Sequence, residues 1–133
     1  LVALGPPARA QPKDAKDTFT RTEDVIYARK FGTALTMDVF TPRENANGKG
    51  VVWCVSGGWA SAKPGGPGLA KGFIDRGYTV FAVTHGSAPK HTVPEAIDDM
   101  HRAVKFIKLN AKRFGVDPDK LGVSGGSAGG HLS

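Results

Sequence analysis

The string Gly125-Gly126-Ser127-Ala128-Gly129 sets one serine between glycines two positions to either side. A serine hydroxyl works as an acyl-transfer nucleophile when a base takes its proton and a sharp strand-to-helix turn lifts it clear of the sheet. Crowding at such a turn explains the small residues around it. In a chain with 18 glycines the string gains weight only from its setting. Lys120-Leu121-Gly122-Val123-Ser124 reads as a strand running straight in, and Ala128-Gly129-Gly130-His131-Leu132-Ser133 can open a helix. A second frame, Gly122-Val123-Ser124-Gly125-Gly126, would leave that strand only about four residues. Ser127 is therefore the candidate nucleophile and Ser124 the strand's end.

A second glycine turn supplies what such a nucleophile needs. Val51 to Val55 runs into Ser56-Gly57-Gly58-Trp59. Acyl transfer develops an oxyanion, and glycines present backbone N–H groups to it without side-chain obstruction. Gly57 and Gly58 would offer donors, joined by the N–H of Ala128. The other reading is a plain strand-to-loop turn.

These turns need a scaffold to bring them together. Val25-Ile26-Tyr27 and the alternating Leu35-Thr36-Met37-Asp38-Val39-Phe40 suit an antiparallel pair with one wetted face. Val51 to Val55 and Tyr78 to Val83 are near-continuous apolar runs, as in parallel strands covered on both faces. Leu69 to Arg76 reads as a short helix ended by Gly77. After Pro94, Ile97, Met100, Val104, Ile107, Ala111 and Phe114 recur at steps of three and four, one apolar helix stripe stopped by Gly115. Strand, helix, strand, helix, strand makes an α/β sheet. No internal repeat is visible.

Composition narrows the function classes. One cysteine, Cys54, rules out an internal disulfide framework and a cysteine-rich zinc site. No apolar run reaches the roughly 18 residues of a membrane span. The net charge of +6 gathers locally at Arg102, Lys105, Lys108, Lys112 and Arg113, late in a helix that opens with Glu95, Asp98 and Asp99. The helix dipole favours that order, so a solvated helix face explains the run and a nucleic-acid partner is not expected. Gly66-Pro67-Gly68 followed by Lys71 fits neither the dinucleotide nor the phosphate-loop pattern, and no metal-ligand spacing occurs. Neither cofactor nor metal is expected.

From Thr22 to Ser133 the chain resembles the α/β-hydrolase superfamily, in the esterase/lipase branch that holds hormone-sensitive-lipase-like and feruloyl or acetyl esterase-like enzymes. The resemblance rests on Tyr27 through Asp38-Val39-Phe40-Thr41-Pro42, on Ser56-Gly57-Gly58-Trp59, on Ala88-Pro89 with His91, and on Asp117-Pro118-Asp119-Lys120 leading to Gly125-Gly126-Ser127-Ala128-Gly129-Gly130-His131. It implies Ser127 as nucleophile and Gly57, Gly58 and Ala128 as oxyanion donors. Two departures stand out. Val55-Ser56 replaces the His-Gly that often opens the oxyanion turn. His85-Gly86-Ser87 replaces Tyr-Arg-Leu, removing an arginine that could pair with Asp98 or Asp99.

In this fold the triad acid and base follow the serine in the chain. They are expected beyond Ser133, so residues 22–133 form the N-terminal part of one α/β-hydrolase domain that by itself turns over little ester, with its last strand an exposed edge. Upstream histidines are weaker candidates. His131 packs or caps locally, His85 and His91 line the pocket or brace a loop, and His101 is solvated. Asp98 and Asp99 point in different helix directions and form no carboxylate pair.

The expected activity is that of a serine carboxylic ester hydrolase on a small or carbohydrate-linked ester. A serine peptidase of the same fold and a non-catalytic binding protein on this scaffold are the alternatives. Trp59 either walls the substrate pocket or packs the loop. Residues 1–21 form a leader: Leu1-Val2-Ala3-Leu4, Gly5-Pro6-Pro7 and the small-x-small Ala8-Arg9-Ala10 read as a signal-peptide remnant cut after Ala10, hence a secreted or periplasmic protein. An ordinary flexible leader is the other reading.

Overall fold

The computed structural model describes residues 17–133. The suspected cleavage after Ala10 lies outside them. Strands β1 (Phe19–Lys30) and β2 (Thr33–Pro42) form an antiparallel hairpin registered from Phe19 against Pro42 to Lys30 against Thr33. Phe31 and Gly32 turn it with φ of 48° and 75°, the left-handed pair that a two-residue hairpin of this twist requires. The register slips between Thr22 and Val25, where Asp24 has a φ of 54° and donates its N–H to the buried Asp38 carboxylate at 2.9 Å.

Phe19, Thr20 and Arg21, assigned above to the leader, are strand residues. Their polar surroundings hid two long-range anchors. Phe19 packs edge-on against Phe40 with ring centroids 5.5 Å apart. The Arg21 guanidinium donates to Asp38 from both Nε and Nη2.

Strands β3 (Gly50–Cys54), β4 (Thr79–Val83) and β5 (Leu121–Gly125) complete a sheet of order β1-β2-β4-β3-β5. β2 meets β4 antiparallel, whereas β4, β3 and β5 run parallel. Because β2 lies inside the sheet, Met37 to Phe40 are buried on both faces, rather than leaving one face wet. β5 is outermost, and its Val123 is 45% exposed.

Alternate side chains feed two cores. On one face Met37, Val39, Val52, Phe81 and Val83 pack against Ala96, Met100, Ala103 and Ile107 of α2 (Val93–Leu109). On the other, Phe40, Val51, Val80 and Ala82 meet Ile74 of α1 (Lys71–Ile74). Thr92 caps α2 in a reciprocal box with Glu95. The apolar stripe continues past a break at Asn110 into α3 (Ala111–Phe114), which ends at the left-handed Gly115. α1 is shorter than the sequence suggests, with a single 3-10 turn, Gly68–Ala70, before it. The chain then turns at Gly77, where a Cβ would lie 2.3 Å from the Asn45 carbonyl oxygen. The last element is α4 (Ala128–Leu132).

Candidate active site

Ser127 stands between β5 and α4, exposed, with φ 53° and ψ −122°. An L-residue is strained there, and strain of this kind persists only where the surroundings enforce it. The glycines on either side show what enforces it. A Cβ on Gly125 would lie 2.5 Å from the backbone of Gly129, and one on Gly129 would lie 2.3 Å from the carbonyl oxygen of Cys54. The helix thus starts directly against the ends of β5 and β3, and the chain can reach it only through a sharp bend at Ser127. The bend is closed by the Gly129 N–H on the Gly126 carbonyl and the His131 N–H on the Ser127 carbonyl, at 2.9 and 3.1 Å. Ser124 pairs with Trp53 inside β5, as strand residues do. Behind the bend the Cys54 thiol is buried, which pushes its pKa up against the opposing hydrogen bond from Ser133.

The second glycine turn is a tight hairpin. Gly57 and Ala60 exchange both backbone hydrogen bonds, at 2.9 and 3.0 Å, around Gly58 and Trp59, whose φ values are 56° and 60°. This corrects one expectation: the Gly57 N–H is engaged by Ala60, because closing the hairpin consumes it. Gly58 presents its N–H at the hairpin tip, and Ala128 presents the first N–H of α4, a group that a helix leaves without an internal partner. Neither donates a backbone hydrogen bond among the described residues.

The two turns meet through Trp59. Its ring stands edge-to-face against His131, centroids 6.0 Å apart, so the hairpin tip lies against α4. Beside them a cleft of about 480 Å³ is bounded by Trp53, Val55, Gly57, Ala60, Lys63 and Gly126. Trp59 is 39% exposed and accepts the Ala88 N–H on its carbonyl.

The other histidines stand in different surroundings. His85 is buried with Nδ1 2.7 Å from the Gly86 carbonyl, which can only accept, so Nδ1 carries the hydrogen. His91 is buried, stacked on Phe31 and 3.7 Å from Glu95. His101 is exposed on α2. Asp98 is exposed while Asp99 is fully buried, confirming that they make no pair.

Asp99 instead meets a residue that no motif singles out. The Lys30 ammonium donates to its Oδ2 at 2.7 Å, and the Gly86 N–H reaches the same oxygen at 3.0 Å. A lysine from the far end of β1 thus supplies the cation that the missing arginine of the 85–87 loop would have brought. Only a contact across 69 positions reveals it. Nearby, burial pushes the Tyr27 hydroxyl pKa up, with the Asp99 charge adding to the effect. That hydroxyl donates to the Thr84 carbonyl. Among the described residues no helix is long and apolar enough to cross a membrane.

Comparison with known proteins shows the family and the fold. A profile of the BD-FAE family matches residues 37–133. The chain is 31% identical over 115 residues to the probable carboxylic ester hydrolase LipM of Mycobacterium tuberculosis, an alignment covering 83% of this chain and 26% of LipM. It is 41% identical over 56 residues to the arylacetamide deacetylase of Mus musculus, covering 41% of this chain and 14% of that protein. Among solved structures, a truncated carbohydrate esterase from gut microbiota superposes with a TM-score of 0.76 at 25% identity, covering 90% of this chain and 44% of that one. The propionate-bound esterase Est2 of Thermogutta terrifontis gives 0.72 at 28% identity, over 83% and 43%. The chain therefore spans less than half of each of these relatives.

Proposed function

The chain belongs to the BD-FAE family, its α/β-hydrolase fold shared with esterases, and we propose that it carries the nucleophile half of a serine carboxylic ester hydrolase. Ser127 attacks the ester carbonyl, and the charge that develops on the carbonyl oxygen is held by the N–H groups of Gly58 and Ala128. Gly57 closes the hairpin that presents Gly58. Collapse of the tetrahedral adduct breaks the bond to the alcohol, which leaves with the proton, and water then hydrolyses the acyl-Ser127 ester to release the acid. A histidine oriented by a carboxylate, both outside the described residues, takes and returns the proton.

The observation that carries this reading is the strained bend at Ser127, with the Gly58 hairpin held against it by the contact between Trp59 and His131. A stable fold has no use for a strained, exposed serine at the end of a strand, whereas a nucleophile does. Trp59 offers a flat apolar wall to the acyl or alcohol part. The resemblance to a carbohydrate esterase favours a small or carbohydrate-linked ester, and the Ala8-Arg9-Ala10 string favours action outside the cytoplasm.

Hydrolysis of p-nitrophenyl acetate by the complete protein tests the proposal. Ser127→Ala is expected to lower kcat by about a thousandfold or more, and the 133-residue chain alone to turn over little. Turnover unchanged by Ser127→Ala would refute the nucleophile. Strong Ser127-dependent turnover by the chain alone would show that an upstream histidine serves as base.

A further inference from the structure

The oxyanion hairpin has one anchor of its own, the edge contact of Trp59 with His131. Gly57, Gly58, Trp59 and Ala60 are all exposed, so burial does not fix their place. Val55, at the hairpin's root, has an aliphatic side chain with no hydrogen bond to give. Something else must hold the Gly58 N–H against Ser127.

Hydrogen bonds to one serine do so. The Ser61 hydroxyl, just past the hairpin, donates to the Val55 carbonyl just before it at 2.5 Å, closing the loop at its base. The same oxygen accepts the His85 N–H at 3.2 Å. The Ser61 N–H donates to Ser87 Oγ at 2.8 Å, and that hydroxyl returns a bond to the Ser61 carbonyl at 3.2 Å. Alongside, the Ala88 N–H reaches the Trp59 carbonyl at 3.1 Å. The supporting loop is itself fixed from below, since Asp99 takes the Gly86 N–H and is held by Lys30. A continuous path thus runs from the buried ion pair through Gly86, Ser87 and Ser61 to the hairpin.

Resting on the esterase reading above, we infer that Ser61 is a positioning residue, its hydroxyl setting where the Gly58 N–H stands relative to Ser127. A donor helps the transition state only when it is held at the place the oxyanion will occupy, and a displacement of about 1 Å can cost about a hundredfold in rate. The hydroxyl is engaged by the Val55 carbonyl and the His85 N–H. A methyl group fits beside it, because Ser61 lines an open cleft of about 400 Å³ with Ala62 and His85.

The test uses the complete protein, p-nitrophenyl acetate, and an alkyl trifluoromethyl ketone whose adduct with Ser127 places an oxyanion in the same hole. Ser61→Ala is expected to lower kcat about 10- to 100-fold with KM changed less than about threefold, and to weaken the ketone by the same factor as kcat. Ser61→Thr, which keeps the hydroxyl, is expected to restore both. Ser87→Ala loosens the same clasp from the other side and should move kcat and ketone affinity together, a readout that stands if Ser61→Ala does not fold. If Ser61→Ala lowers Tm but leaves kcat and the ketone untouched, or if Thr fails to rescue, the positioning role is wrong. Wild-type turnover that ignores Ser127→Ala would instead overturn the esterase reading itself, so the two failures are distinguishable.

Discussion

The carbonyl oxygen of Cys54 occupies the space a side chain on Gly129 would need: a Cβ there would stand 2.3 Å away. This contact between the end of β3 and the first turn of α4 fixes the depth at which the helix docks, and hence the sharpness of the bend at Ser127. Gly129→Ala is expected to destabilise the fold by about 1–3 kcal/mol, as overpacking does, and to lower Ser127-dependent turnover sharply. Gly122→Ala, in β5 with nothing within 4 Å of the added carbon, should stay within about 0.5 kcal/mol. Urea unfolding of the two variants beside the wild type measures the difference. Equal costs would show that the contact is not limiting.

The strain at Ser127 has a measurable counterpart in stability. Its φ of 53° and ψ of −122° lie where a side chain is penalised by about 1–3 kcal/mol. Glycine escapes that penalty but loses about 0.5–1 kcal/mol of chain entropy on folding. Ser127→Gly should therefore raise stability by roughly 1 kcal/mol while abolishing turnover, whereas Ser127→Ala, which keeps the Cβ, should not gain. Thermal unfolding of both variants checks the sign.

The Lys30–Asp99 pair lies in the interior, with 7% and 0% of the two side chains exposed. Removing one partner strands a buried charge, so Lys30→Met is expected to cost about 3–5 kcal/mol. The double variant Lys30→Met with Asp99→Leu should be less damaged than the sum of the single variants, giving a coupling of about 1 kcal/mol or more. Additive losses in a double-mutant cycle would mean that the pair is not coupled.

At the start of α2, the Thr92 N–H and hydroxyl both hold the Glu95 carboxylate and lower its pKa from the ordinary glutamate range. A folded-state pKa below the unfolded one gives stability that is present above the unfolded value and lost as pH falls through the folded one. Acid unfolding of the wild type should therefore show a component in and below the ordinary glutamate range that Glu95→Gln removes. Thr92→Ala should cost about 1 kcal/mol at neutral pH.

Much of the site was legible in the chain because its cause is local. The G-x-S-x-G spacing, the strand running into it and the paired glycines at 57 and 58 each answer a demand made by the nearest few residues, and the structure places the bend and the hairpin where those residues stand. The helix stripe from Ile97 to Ile107 and the buried runs of β3 and β4 were readable for the same reason: burial writes itself into residue type, as a period in the helix and as a continuous apolar run in the strands.

What only the tertiary structure decided are contacts between distant segments. Phe19 and Arg21 looked like leader until Phe40 and Asp38, across the sheet, gave them partners. The Gly57 N–H looked free until Ala60 closed on it, a matter of turn geometry that composition does not record. No pattern in the chain links Lys30 to Asp99 or Ser61 to Ser87, because hydrogen-bonding side chains carry no period and their partners are chosen by packing. The sequence by itself determined which backbone could bend and which residues must be buried. The fold determined which polar groups then faced each other, and so how Ser127 and the N–H groups of Gly58 and Ala128 are held in place.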